Sequence, residues 1–101
     1  MKKGILALAL IGIMVFASTG MADTFITIGS GGVGGTYYPL GGAMAEVLTN
    51  AGIGVRATSR STSASRENCR LVASGRAHIG MTMGSALYQA ITGTEAFEPD
   101  G

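Results

Sequence analysis

The sequence predicts an α/β protein in which three parallel strands alternate with three helices. Two observations carry that expectation. Runs of β-branched and apolar residues recur before segments with a helical apolar stripe, the spacing of βαβ units. Three glycine- or hydroxyl-rich loops, Ser30–Gly35, Ser59–Ser65 and Thr82–Ser85, then all leave the carboxyl ends of strands. In an open parallel sheet that edge is where ligands bind.

The first strand is expected over Thr24–Ile28, where Phe25, Ile26, Thr27 and Ile28 have the composition of a buried strand. Gly29-Ser30-Gly31-Gly32-Val33-Gly34-Gly35 follows, a backbone free to take positive φ and to let a ligand approach closely. Thr36 is placed as an N-cap, and Ala43, Met44, Val47 and Leu48 give the next segment a helical stripe. Pro39 falls in the first turn, where its missing N–H costs little, and Asn50-Ala51-Gly52 is a stop signal.

Ile53–Thr58 reads as the second strand, and Ser63 or Ser65 as the cap of a helix over Arg66–Ser74. That helix carries Cys69, Val72 and Ala73 on one face and ends at Gly75. Ala77–Met81 is the third strand and Gly84–Thr92 the third helix, ended by Gly93. Thr94–Gly101 reads as a loop.

The first 22 residues are set apart from the fold. Met1-Lys2-Lys3 is basic, Gly4–Ala17 is apolar, and Gly20 and Ala22 are small residues at −3 and −1 of a cleavage point. Residues 1–22 therefore read as a secretory signal cut between Ala22 and Asp23, too short in its apolar run for a membrane span. After the cut, five arginines face six acids, a net charge of −1 that offers no basic surplus for nucleic acid. Those arginines look dispersed over a loop and a helix. Cys69 is the single cysteine, so no internal disulfide forms, and it reads as a small packed hydrophobe.

Several chemistries fail on the residues available. Gly29–Gly34 satisfies G-x-G-x-x-G between a strand and a helix, yet the acid that should hold a ribose at the end of the second strand is replaced by Thr58-Ser59-Arg60. Arg60 leaves a 2′-phosphate open as a partner. A Walker-type loop is excluded because no lysine follows Lys3. One histidine, His78, and one cysteine on another element make neither a nucleophile–base pair nor a metal set. Tyr37 and Tyr38, at a helix start beside the glycine loop, are placed either to pack or to cover a small ligand.

The residues Ile28-Gly29-Ser30-Gly31-Gly32-Val33, Gly35-Thr36-Tyr37-Tyr38-Pro39-Leu40-Gly41-Gly42, Ser59–Asn68 and Gly75 with Ile79-Gly80-Met81 resemble the TAXI-type solute-binding proteins. These are the periplasmic receptors of tripartite ATP-independent periplasmic (TRAP) transporters. The resemblance implies a two-lobed α/β receptor, not an enzyme and without a cofactor. It closes on a small carboxylate such as glutamate or 2-oxoglutarate and hands it to membrane permease subunits. On this likeness residues 23–101 are an incomplete first lobe. Such a piece is expected to be aggregation-prone or partly molten, and to bind those acids weaker than about millimolar.

The same likeness puts Gly35, Thr36, Tyr37 and Tyr38 in the cleft, with Ser65 and Asn68 matching the family's Ser-x-x-Asn and Ser61, Thr62 and Ser63 alongside. Thr82, Met83 and Ser85 occupy the loop after the third strand, where many members carry Gln-Ser-Asp. A second departure is Ser63-Ala64, where members often have two glycines. The competing readings are a secreted NADP-type oxidoreductase fragment and a thiamine-precursor-like receptor of an ATP-driven importer.

Overall fold

A computed structural model describes residues 22–98. The expected signal segment, apart from Ala22, lies outside the described residues. The elements run β1 (Thr24–Gly29), α1 (Tyr37–Asn50), β2 (Val55–Arg60), α2 (Ser65–Ala73), β3 (Ile79–Gly80) and α3 (Gly84–Thr92). A 3-10 turn over Glu95–Phe97 follows.

The three strands form one parallel sheet in the order β2-β1-β3, with Thr24 opposite Val55 and Ile28 opposite both Ser59 and Ile79. The first crossover therefore steps to one side of β1 and the second steps back past it. Right-handed connections running in opposite directions put α1 and α2 on opposite faces. Side-chain contacts agree. Ser59 faces α1, since a Cβ at Gly41 would lie 2.7 Å from its Oγ. Gly29, on the other face, looks at α2: a Cβ there would lie 2.7 Å from Asn68 Oδ1. The core at this centre is thin, built on Ile28, Ala45, Leu71, Ala77 and Ala86.

Four local expectations are corrected. Strand β2 starts at Val55, because Gly52 and Gly54 take positive φ (+69° and +77°) and turn the chain, leaving Ile53 62% exposed. Strand β3 is only two residues long, although His78 N–H donates to Thr27 O and Met81 N–H to Gly29 O on either side of it. Thr36 makes no capping hydrogen bond; it is already helical, at φ −76° and ψ −37°. The capping position of α2 belongs to Ala64, between the two serines expected there. The glycine stops at Gly75 and Gly93 do take left-handed backbone (φ +75° and +68°).

The segment read as a loop after Gly93 contains the 3-10 turn, and Phe97 is buried. The Arg70 guanidinium stands 4.8 Å from the Phe97 ring centroid and Nη2 donates to Ala96 O at 2.6 Å. That contact joins residues far apart in sequence, which local pattern does not reveal.

Candidate ligand site at the carboxyl edge

Because all three strands are parallel, the loops after Gly29, Arg60 and Gly80 leave from one edge. The chain diverges to opposite faces after β1 and β3, a topological switch point of the kind beside which open α/β sheets bind ligands. The first loop is closed by a turn in which Gly35 N–H donates to Gly32 O at 2.9 Å. None of Gly31, Gly32, Gly34 and Gly35 has positive φ, so the expectation of left-handed backbone there is corrected. Close approach is what this region requires. A Cβ at Gly31 would stand 3.3 Å from Tyr37 Cβ, whose half-buried side chain packs over the loop.

Hydrogen bonds stitch the three loops together. Gly31 O accepts from Ser61 Oγ at 3.0 Å and from Thr62 N–H at 3.2 Å. Ser65 Oγ, buried in the first turn of α2, accepts from Met83 N–H at 2.9 Å. Asn68 Nδ2 donates to Ser30 O and to Met81 O, both at 2.7 Å, and Thr62 Oγ1 donates to Asn68 Oδ1 at 2.7 Å. Ser63 Oγ donates to Glu67 Oε2 at 3.0 Å, and Thr82 Oγ1 donates to Met83 O at 3.1 Å.

The sequence-expected residues thus separate into two groups. Ser61, Thr62, Ser63, Ser65, Asn68 and Thr82 spend their side-chain polar groups on the scaffold. Gly35, Thr36, Met83 and Ser85 are exposed at the same edge, beside half-buried Tyr37 and Tyr38. Sequence reasoning missed Ser30 as a pivot. It is fully buried, its Oγ donates to Arg60 O at 2.7 Å and accepts from Ser59 Oγ at 2.9 Å, and its carbonyl receives Asn68. Its place between two glycines was the one available signal.

The edge is rich in donors. Helical bonding starts at Leu40 in α1, Asn68 in α2 and Leu87 in α3. Among the described residues, no acceptor meets the N–H groups of Gly32, Val33, Gly34, Thr36, Tyr37 or Tyr38. Unbonded N–H groups at helix starts carry partial positive charge and favour an anion.

The arginines, dispersed in sequence, are gathered in space. Arg60, Arg66, Arg70 and Arg76 surround a shallow cleft that touches the second loop at Ser63, with Glu67 as the one carboxylate lining it. A larger cavity of about 730 Å³ lies on the flank of β3, between Val72, Leu87, Ile91 and Phe97. Its mostly apolar walls do not suit a carboxylate, so the loop edge is the better candidate despite enclosing less. Among the described residues no group of three His, Cys, Asp or Glu is placed to hold a metal ion, and no helix is long and apolar enough to cross a membrane.

Comparison with known families matches the NMT1-like family over residues 28–101, and the chain belongs to that family. The family is periplasmic binding-protein-like, which makes solute capture for a membrane transporter the coarse activity. Its members are typically periplasmic or extracellular.

Proposed function

Starting from membership of a solute-binding family, we propose that the chain is the first-lobe portion of a TAXI-type receptor serving a TRAP transporter. On this reading it is exported by residues 1–22, acts in the periplasm, and holds a small carboxylate such as glutamate or 2-oxoglutarate. The observation that carries the ligand class is the set of unbonded N–H groups at Gly32, Val33, Gly34, Thr36, Tyr37 and Tyr38, on the edge that also holds the starts of α2 and α3. These donors meet a carboxylate without a counter-charge having to be buried. Tyr37 and Tyr38 cover the bound group and exclude water, and the Ser85 hydroxyl orients it. The scaffold bonds of Ser61, Thr62 and Ser65 keep the donors in place. Binding, rather than bond-making, is what such an edge does.

The test is a titration followed by amide NMR. Glutamate and 2-oxoglutarate should move the resonances of Gly32–Tyr38 and Ser85, with half-saturation near or above about millimolar for one lobe wall alone. The neutral dimethyl ester of 2-oxoglutarate should leave them in place. Equal response to the ester, or no response to either acid, overturns the carboxylate reading.

A further inference from the structure

Asn68 is fully buried in the first turn of α2, and each arm of its amide reaches a different loop. One Nδ2 hydrogen goes to Ser30 O, which follows β1, and the other to Met81 O, which follows β3. Oδ1 receives Thr62 Oγ1, which follows β2. The amide sits in a slot made by two glycines. A Cβ at Gly29 would stand 2.7 Å from Oδ1, and one at Gly80 would stand 3.3 Å from Asn68 Cβ. No side chain but asparagine combines two donors and an acceptor at this length. Both donors are used, and Oδ1 is already engaged and sealed from solvent, so nothing of this side chain is offered to a ligand.

We propose that Asn68 is a positioning residue: a single amide that locks the loops after all three strands and thereby sets the spacing of the N–H array. This departs from the solute-contacting role that the family resemblance implies for Asn68. The proposal concerns loop geometry directly, and only its affinity readout rests on the carboxylate reading.

The test is Asn68→Asp in the full chain, followed by amide NMR at two pH values. The isosteric carboxylate keeps the volume, but when ionised it turns negative oxygens toward Ser30 O and Met81 O. Burial and those carbonyls raise the pKa of the introduced acid, and its protonated form donates again to one of them. At pH 7.5 the resonances of Gly31, Gly32, Thr62 and Met83 should shift or broaden, with carboxylate affinity down at least about tenfold. At pH 5 the spectrum should return toward wild type, with affinity within about threefold of it. A global loss of stability would instead spread the pH 7.5 disturbance through α1 and α3 as well as the loops.

Should Asn68→Asp fail to fold at pH 7.5, Thr62→Val removes the third arm together with the bond that Thr62 Oγ1 accepts from Ala64 N–H, keeps both Nδ2 arms, and should concentrate its shifts in Ser61–Ser65. Loop resonances like wild type in Asn68→Asp at pH 7.5, or in Thr62→Val, overturn the proposal. So does a disturbance spread evenly through α1 and α3. A wild-type chain whose loops are ordered but bind no carboxylate defeats the functional reading and leaves this one decided by the spectra.

Discussion

Ala64 holds a backbone conformation that suits glycine, and replacing it by glycine should make the protein more stable. Its φ of 74° and ψ of −139° belong to a region in which an L side chain is strained, at about 1–3 kcal/mol. The residue is fixed there from both sides. Its N–H donates to Thr62 Oγ1 at 3.0 Å, and its carbonyl accepts Asn68 N–H at 2.9 Å in the first helical bond of α2. Rotating the peptide out of strain would break both. Ala64→Gly removes the strain but frees the unfolded chain, at about 0.5–1 kcal/mol. The net gain is about 1 kcal/mol, a rise in melting temperature of about 4–8 °C for a domain of this size. Urea unfolding followed by circular dichroism measures it. Ala73→Gly, in ordinary helix at the end of α2, is the control and should cost up to about 1 kcal/mol. If both substitutions destabilise alike, Ala64 is not strained.

Gly41→Ala should destabilise by about 1–3 kcal/mol, since the added Cβ would lie 2.7 Å from Ser59 Oγ and 2.8 Å from Ser30 Cβ at the helix–sheet contact; an unchanged urea midpoint would show that α1 moves away freely. Asp23→Asn should change stability by less than about 1 kcal/mol, because its 2.9 Å bridge to Arg56 joins side chains 45% and 64% exposed. A larger loss in thermal unfolding would mean that this bridge pins the start of β1.

The parts of the fold legible in sequence are those written in local pattern. The alternation in β1 and the glycines at positions 75 and 93 place their elements directly, and α3 spans Gly84–Thr92 as expected. Three polar loops after three parallel strands were enough to locate the candidate edge. What local pattern does not hold is the long-range bonding at that edge. Ser30 and Asn68 are 38 positions apart, and their bond gives a serine between glycines its structural importance. The same limit hid the gathering of Arg60, Arg66, Arg70 and Arg76 around one cleft. The late start of β2 was missed for another reason. Ile53 has strand composition, but the left-handed glycines on either side of it spend it in a turn.

The strand order also leaves the sheet without a pairing of strands adjacent through a short turn. Strand β1 comes first in the chain yet lies in the middle, so neither of its neighbours exists when it is made. It must remain unpaired until Val55–Arg60 can reach it, and its last two residues wait longer still for Ile79–Gly80. Among the described residues no hairpin offers an early local nucleus, and the cost of closing these long loops falls before their contacts form. The apolar run of β1 therefore spends the early part of folding without a partner. Along the carboxyl edge, the loop after β3 is tied in only once that strand pairs, through Met81 O and Met83 N–H.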